Sequence, residues 1–175
     1  MVRAFVSVGS NIDPEQNVRS ALHLLGEQAV VRAVSTVYVT EPIGPGSQPS
    51  FYNCVVEIET VLPPLDLKSR LLRRVETSLG RVRTADRYAP RTIDLDLILY
   101  NDAVLQSDEL TLPDPDILER PFLAAGLREL APGLVLPGSG VSIEAVAARL
   151  PDEALKPLEH YTEQIRKEIL HDRTK

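Results

Sequence analysis

With 175 residues, 43% of them hydrophobic and 25% charged, the chain reads as one ordinary globular domain and not as a disordered segment. A net charge of −6 argues against a general nucleic-acid binder, whose affinity rests on excess Lys and Arg. The single cysteine, Cys54, rules out an intramolecular disulfide framework and suits a reducing cytoplasm; followed by Val55 and Val56, it reads as a small core residue.

The opening run is too short for a signal peptide, and no segment reaches the ~18 apolar residues of a membrane span. Val2 to Val8 reads as a first strand, with Val2, Ala4, Val6 and Val8 on one face and Phe5 on the other. After a turn at Gly9-Ser10-Asn11, Asp13 offers an N-cap and Pro14 a first helical residue, and Val18, Leu22 and Leu25 give a stripe up to Gly26. The β-branched run Val30 to Tyr38 predicts a second strand. A loop rich in Pro and Gly spans Glu41 to Ser50, and Phe51 to Thr60 alternates as a third strand. Pro63-Pro64 opens a second helix whose apolar stripe is Leu67, Leu71, Leu72 and Val75.

A fourth strand ends at Tyr100, so the order is β-α-β-β-α-β, an α+β, ferredoxin-like sandwich with two helices on one face. Asn101-Asp102 turns into a short edge strand, Leu110 to Asp116 is a further Pro-rich loop, and Phe122–Leu130 and Ser142–Leu150 look helical. Beyond residue 157, Leu158, Tyr161, Ile165 and Ile169 share one helical face, predicting a tail (158–175) that packs on the domain (1–157) or on a second subunit.

The chemistry concentrates between Gly80 and Tyr100. Arg81, Arg83, Arg87 and Arg91 lead into a strand carrying Asp94 and Asp96. Alternation puts both carboxylates on one face, about 7 Å apart along the backbone, with Ile93, Leu95 and Leu97 opposite and Ile98 and Tyr100 continuing the acidic face. Alternating acids alone ordinarily mean a solvated face, and pairing them with arginines would give surface ion pairs contributing about 0–1 kcal/mol each. Four arginines gathered in one loop that ends Pro90-Arg91 fit a magnesium-polyphosphate better: acids take the hard cation, and guanidinium groups take phosphate oxygens.

Arg87-Tyr-Ala-Pro-Arg-Thr-Ile-Asp-Leu-Asp-Leu-Ile98 resembles the signature of the 6-hydroxymethyl-7,8-dihydropterin pyrophosphokinases of folate synthesis. Val6-Ser-Val-Gly-Ser-Asn11, Tyr38-Val-Thr-Glu-Pro-Ile-Gly-Pro45, Gln48-Pro-Ser-Phe-Tyr-Asn53, Glu76 with Gly80-Arg-Val-Arg83, and Arg120-Pro-Phe122 through Ala131-Pro132 are similar to further family segments in the same order. The resemblance covers residues 2–150 and implies an enzyme that transfers pyrophosphate from ATP to the hydroxymethyl group of the reduced pterin, releasing AMP. It implies two Mg²⁺ ions on Asp94 and Asp96, and phosphate-neutralising roles for Arg81 and Arg91. The nucleotide would meet Glu76, Arg83, Arg87, Arg91, Ile98, Thr111 and Arg120. The pterin would meet Asn53, whose amide offers both donor and acceptor, with Phe51, Tyr88 and Phe122 on the ring and Thr40, Pro42, Ile43 and Gly44 beside it.

Such an enzyme would be cytoplasmic, a monomer or weak homodimer, with small-molecule substrates and no nucleic-acid or membrane partner. The sequence departs from the family pattern at Ala89, where Gly is usual, at Tyr88, where Trp is common, and at Asp114, where a His typically reaches the ATP phosphates. Asp114 there would bring a carboxylate toward the nucleotide, and it motivates a second reading, a catalytically degenerate homologue. A third, a ferredoxin-like RNA-binding module, conflicts with the 5% aromatic content and the negative charge. The histidines, His23, His160 and His171, fall on predicted helices and read as surface residues.

Overall fold

A computed structural model describes residues 1–86, 88–151 and 155–171. Strand β1 (Val2–Ser10) lies inside an antiparallel sheet, between β4 (Phe51–Thr60) and β5 (Asp94–Tyr100). The far edge of β4 carries β2 (Val30–Val34) and β3 (Tyr38–Thr40), and β8 (Lys156–Pro157) adds to β3. The predicted single strand over 30–38 is therefore two. The break falls where the Ser35 hydroxyl accepts from the Val55 amide, and the outward backbone groups that follow turn to side chains instead of a neighbouring strand.

Both faces of the sheet are covered. One core joins Ala4, Val6 and Val8 to helix α1 (Pro14–Gln28), to the second predicted helix, and to α6 (Glu159–His171). That second helix runs as α2 (Pro64–Asp66), a π-helical turn (Leu67–Leu72) and α3 (Arg73–Ser78). The i→i+5 geometry lets Leu67 and Leu72 both face inward. Leu22, Leu25 and Leu71 are fully buried here, and each such side chain gains roughly 1.5–3 kcal/mol over exposure. The tail helix thus packs on its own sheet through Tyr161, Ile165 and Ile169.

The other core joins Phe5, Val55 and Leu99 to a 3₁₀ turn (Pro115–Leu118), α4 (Pro121–Leu130) and α5 (Ile143–Arg149). Gly126 lets α4 approach β4, because a Cβ there would stand 2.7 Å from Val55 Cγ2. A register shift opposite Phe5/Val6 alters the face assignment at the end of β5. Ile98 and Leu99 both enter the second core, and Tyr100 turns to the first, donating to the Leu62 carbonyl. The acidic face consequently stops at Ile98 instead of running on to Tyr100.

Other expectations shift locally. Asp13 adopts φ 41 and makes no side-chain cap, although its carbonyl still accepts from the Asn17 amide. The strand after Asn101 pairs away from the main sheet, β6 (Leu105–Gln106) with β7 (Thr111–Leu112), inside what the sequence presents as a Pro-rich loop. His23 and His160 are exposed; the side chain of His171 lies outside the described residues.

Candidate active site

Beyond the reach of α4, the second face of the sheet changes character. Phe5 and Val55 give way to Ser7, Gly9 and Asn53, and the register sets Asp96 beside Ser7 and Asp94 beside Gly9. The result is a cleft of about 430 Å³ floored by Ser7, Gly9, Asn53, Asp94 and Asp96 and walled by Phe51, Phe122, Tyr88, Ile43 and Arg120. A second chamber of about 390 Å³, lined by Arg81, Arg83, Thr84 and Asp86, shares Arg91, Asp94 and Asp96 with the first.

Arg91 is fixed before any ligand arrives. Its amide donates to Asn11 Oδ1 (2.7 Å), its carbonyl accepts from the Asn11 amide (3.2 Å), and Nη1 donates to Asp94 Oδ2 (2.5 Å). Arg81 approaches the other Asp94 oxygen at 3.7 Å, while its buried Nε–H has no partner. Burial pulls the proton affinity of Arg81 below the usual arginine range, with Asp94 acting against that. Glu76, 2% exposed, braces the strand from behind: one oxygen accepts from the Leu95 amide at 2.9 Å, the other from Arg83 at 2.6 Å.

Asp96 reaches cleft water, yet most of its surroundings are protein. Its carboxyl is pushed up to about 7, by that loss of solvent first, then by the carboxylates of Asp94, Asp114 and Glu76. Among the described residues no ion pair or hydrogen bond occupies it. Two oxygen-donor carboxylates on one strand face, one of them unclaimed, fit a hard divalent cation such as Mg²⁺. Asp114 is turned inward as the cap of the 3₁₀ turn: its Oδ1 accepts from the Asp116 amide, and burial raises its pKa.

Across the floor from Asp94, Asn53 Nδ2 donates to Thr40 Oγ1 at 2.6 Å, and a Cβ on Gly9 would crowd Asn53 Oδ1. The loop at 41–50 and the segment at 88–91 meet over the cleft, where Gln48 donates to the Tyr88 carbonyl and Gly44 (φ +114) packs under the Tyr88 ring. A side chain at Gly44 would collide with that ring.

Residues 5–132 match the family model described as 7,8-dihydro-6-hydroxymethylpterin-pyrophosphokinase (HPPK). The chain belongs to this family.

Relatives named 2-amino-4-hydroxy-6-hydroxymethyldihydropteridine pyrophosphokinase include that of Haemophilus influenzae, 38% identical over 83% of this chain and 92% of its own. Those of Bacillus subtilis (37%; 87% and 88%) and Pseudomonas aeruginosa (36%; 89% and 96%) are similar to it in the same way. In fold, the crystal structure of a Plasmodium falciparum HPPK-DHPS triple mutant superposes with a TM-score of 0.68 at 13% identity, over 85% of this chain and 43% of that one. The chain therefore spans less than half the length of that Plasmodium protein.

Within this pyrophosphokinase frame, the structure gathers most of the residues singled out from sequence. Arg81, Arg83, Arg91, Asp94 and Asp96 converge on the second chamber; Ile43, Phe51, Asn53, Tyr88 and Phe122 line the first cleft, with Thr40 behind Asn53. Arg120 also faces the first cleft, its guanidinium 4.9 Å over Phe122. Pro42, Glu76, Ile98 and Thr111 stand outside the described linings of both cavities; Ile98 is in the second core and Thr111 is exposed on β7. Arg87 lies outside the described residues. Sequence reasoning gave no role to Ser7, Gly9, Asn11, Gln48, Asp116 or Glu119. The available signal was Ser7 and Gly9, small residues alternating with valines along an otherwise apolar strand.

Proposed function

We propose that the chain transfers pyrophosphate from ATP to the 6-hydroxymethyl group of 6-hydroxymethyl-7,8-dihydropterin, releasing AMP, as a step of folate biosynthesis. The observation that carries this reading is the shared wall: two cavities of unlike chemistry meet at Arg91, Asp94 and Asp96. The first is lined by five acids (Glu41, Asp94, Asp96, Asp116, Glu119) against two arginines, so it repels a polyphosphate and suits a flat uncharged heterocycle held by Asn53 between Phe51 and Phe122. The second balances three arginines against three acids among the described residues, and cations on the acid pair would leave it positive.

Arg81, Arg83 and Arg91 would bind the triphosphate, with Asp94 and Asp96 as ligands for two Mg²⁺ ions. Those ions would supply charge neutralisation across the phosphates. Asn53 and the aromatic wall orient the pterin so that its hydroxymethyl oxygen approaches the β-phosphorus. The new O–P bond forms as the bond to the α-phosphate oxygen breaks, the electron pair leaves with AMP, and the hydroxyl proton passes to Asp96 or cleft water. Catalysis of this kind rests on positioning and electrostatics.

The strand order β5-β1-β4-β2 supports a ferredoxin-like core. No helix among the described residues is long and apolar enough to cross a membrane. The reading includes a cytoplasmic enzyme that acts as a monomer or weak homodimer. Neither the degenerate homologue nor the RNA-binding module is favoured: the acids and described arginines face one another, and Asp114 is occupied in capping its own turn. Incubation with ATP, Mg²⁺ and the hydroxymethyl-dihydropterin should release AMP with formation of the pterin pyrophosphate. Absence of AMP with intact folding overturns the reading.

A further inference from the structure

The tail helix α6 lies outside the segment matched by the family, residues 5–132, and no step of the chemistry above uses it. Its contacts are not those of a generic surface helix. Between β2 and β3 the chain leaves the ladder, and the backbone groups exposed there need partners. The Val37 amide donates to Thr162 Oγ1 (2.9 Å, buried), and the Val37 carbonyl accepts from the Leu158 amide (2.8 Å). The Val34 carbonyl accepts from Arg166 Nε (2.8 Å). Arg166 Nη2 in turn holds Glu129, which accepts from the Thr36 amide (2.8 Å). Thr162 donates its own proton to Leu158 O, so its oxygen is free to accept only in this orientation.

Three residues past Val37 on the same edge is Thr40, whose hydroxyl accepts from the Asn53 amide in the cleft. β3 is only three residues long, too short to fix its own register. Resting on the functional reading above, we infer that α6 is a positioning element for the pterin side of the site: Thr162 and Arg166 set the height of β3, and through Thr40 they set the Asn53 amide. The second chamber, on the opposite side of the acid pair, has no contact with this edge.

The test compares Thr162→Val, Thr162→Ser and Arg166→Met in the full-length protein. Thr162→Val leaves the Val37 amide unpaired. The expected rise in pterin KM is about fivefold or more, the scale of one mis-set hydrogen bond, with ATP KM and kcat within about twofold. Thr162→Ser keeps the acceptor and restores the pterin KM; Arg166→Met moves it in the same direction as Thr162→Val. By NMR, the Asn53 side-chain amide protons should exchange slowly in the wild type and fast in Thr162→Val. Should Thr162→Val not fold, Arg166→Met decides by the same two readouts. Folded variants with unchanged pterin KM and unchanged Asn53 exchange overturn the inference and leave α6 a purely stabilising helix. If the wild-type protein forms no AMP, the functional reading fails by itself, and Asn53 exchange still decides whether α6 governs that amide.

Discussion

Glu76 reaches from α3 across the first core to the amide of Leu95, the residue between the two acids, and holds it at 2.9 Å. The adjacent side chains Asp94 and Asp96 point to the far face, so a helix behind the sheet sets the height of the acid pair in front of it. Removing that acceptor in Glu76→Ala leaves a buried N–H unsatisfied and should cost about 1–3 kcal/mol of stability. The ion pair with Arg83 adds little, because Arg83 is more than half exposed. Glu76→Gln, which keeps an acceptor for Leu95, should therefore stay within about 1 kcal/mol of wild type. Denaturant midpoints at constant slope check both; equal losses for Ala and Gln would mean that the ion pair, not the Leu95 bond, carries the effect.

Asp96 makes stability depend on pH in a specific direction. Its folded carboxyl binds a proton up to about pH 7, well above the 3.8 of a free aspartate, so the folded state holds the extra proton. The stability associated with that group is fully present below about pH 4 and is lost as pH rises through 7. Asp96→Asn removes the charge at every pH. Its melting temperature should exceed that of the metal-free wild type above pH 7 and converge with it near pH 4. Added Mg²⁺ should raise the wild-type melting temperature at pH 8 and leave the variant unmoved. A pH-independent difference between the two proteins would show that the clustered carboxylates do not repel as described.

The close approach of Gly9 to Asn53 gives a cleaner test of the pterin side than mutating Asn53. Gly9 has an ordinary backbone conformation, so Gly9→Ala brings no φ strain; its Cβ simply meets Asn53 Oδ1. The amide must swing away from Thr40, and under the proposed role of Asn53 it would lose its edge to the heterocycle, a loss of about 1–3 kcal/mol, or roughly fivefold to 150-fold in pterin KM. ATP binding, on the other side of Arg91, should be unaffected. Equal rises in both KM values would place Asn53 in a general structural role instead.

What the sequence made legible, and what it hid, follows from contact distance. β4 runs Phe51–Thr60 as its alternation says, and the acid pair was readable because residues two apart on a strand must share a face. The break at Ser35–Val37 was not, since a β-branched run reads as one strand and the groups that end it, Glu129 and Thr162, lie 93 and 125 residues away. The turn of Tyr100 to the first core was hidden for a similar reason: the register shift is set by pairing with β1, not by any residue of β5 alone. Asn11 looked like a turn residue, yet it fixes Arg91 from eighty positions away.

Arg81 concentrates the conflict between stability and activity in this site. Its side chain is nearly buried, its Nε–H has no partner, and burial works against its charge. An unpaired buried donor costs about 1–3 kcal/mol, so a protein selected for stability alone would replace it. A phosphate oxygen arriving in the second chamber would satisfy that donor and face charge that grows as the β-phosphorus is attacked. Arg81→Met, similar in length and apolar, should therefore leave the ligand-free melting temperature equal or higher. It should also lower kcat by about 100-fold or more, on the scale of removing one preorganised donor from a developing charge. Pyrophosphate with Mg²⁺ should raise the melting temperature of the wild type and raise that of Arg81→Met much less, while pterin binding by calorimetry stays the same. A variant that loses stability and keeps its kcat would mean that Arg81 serves only to hold Asp94 in place.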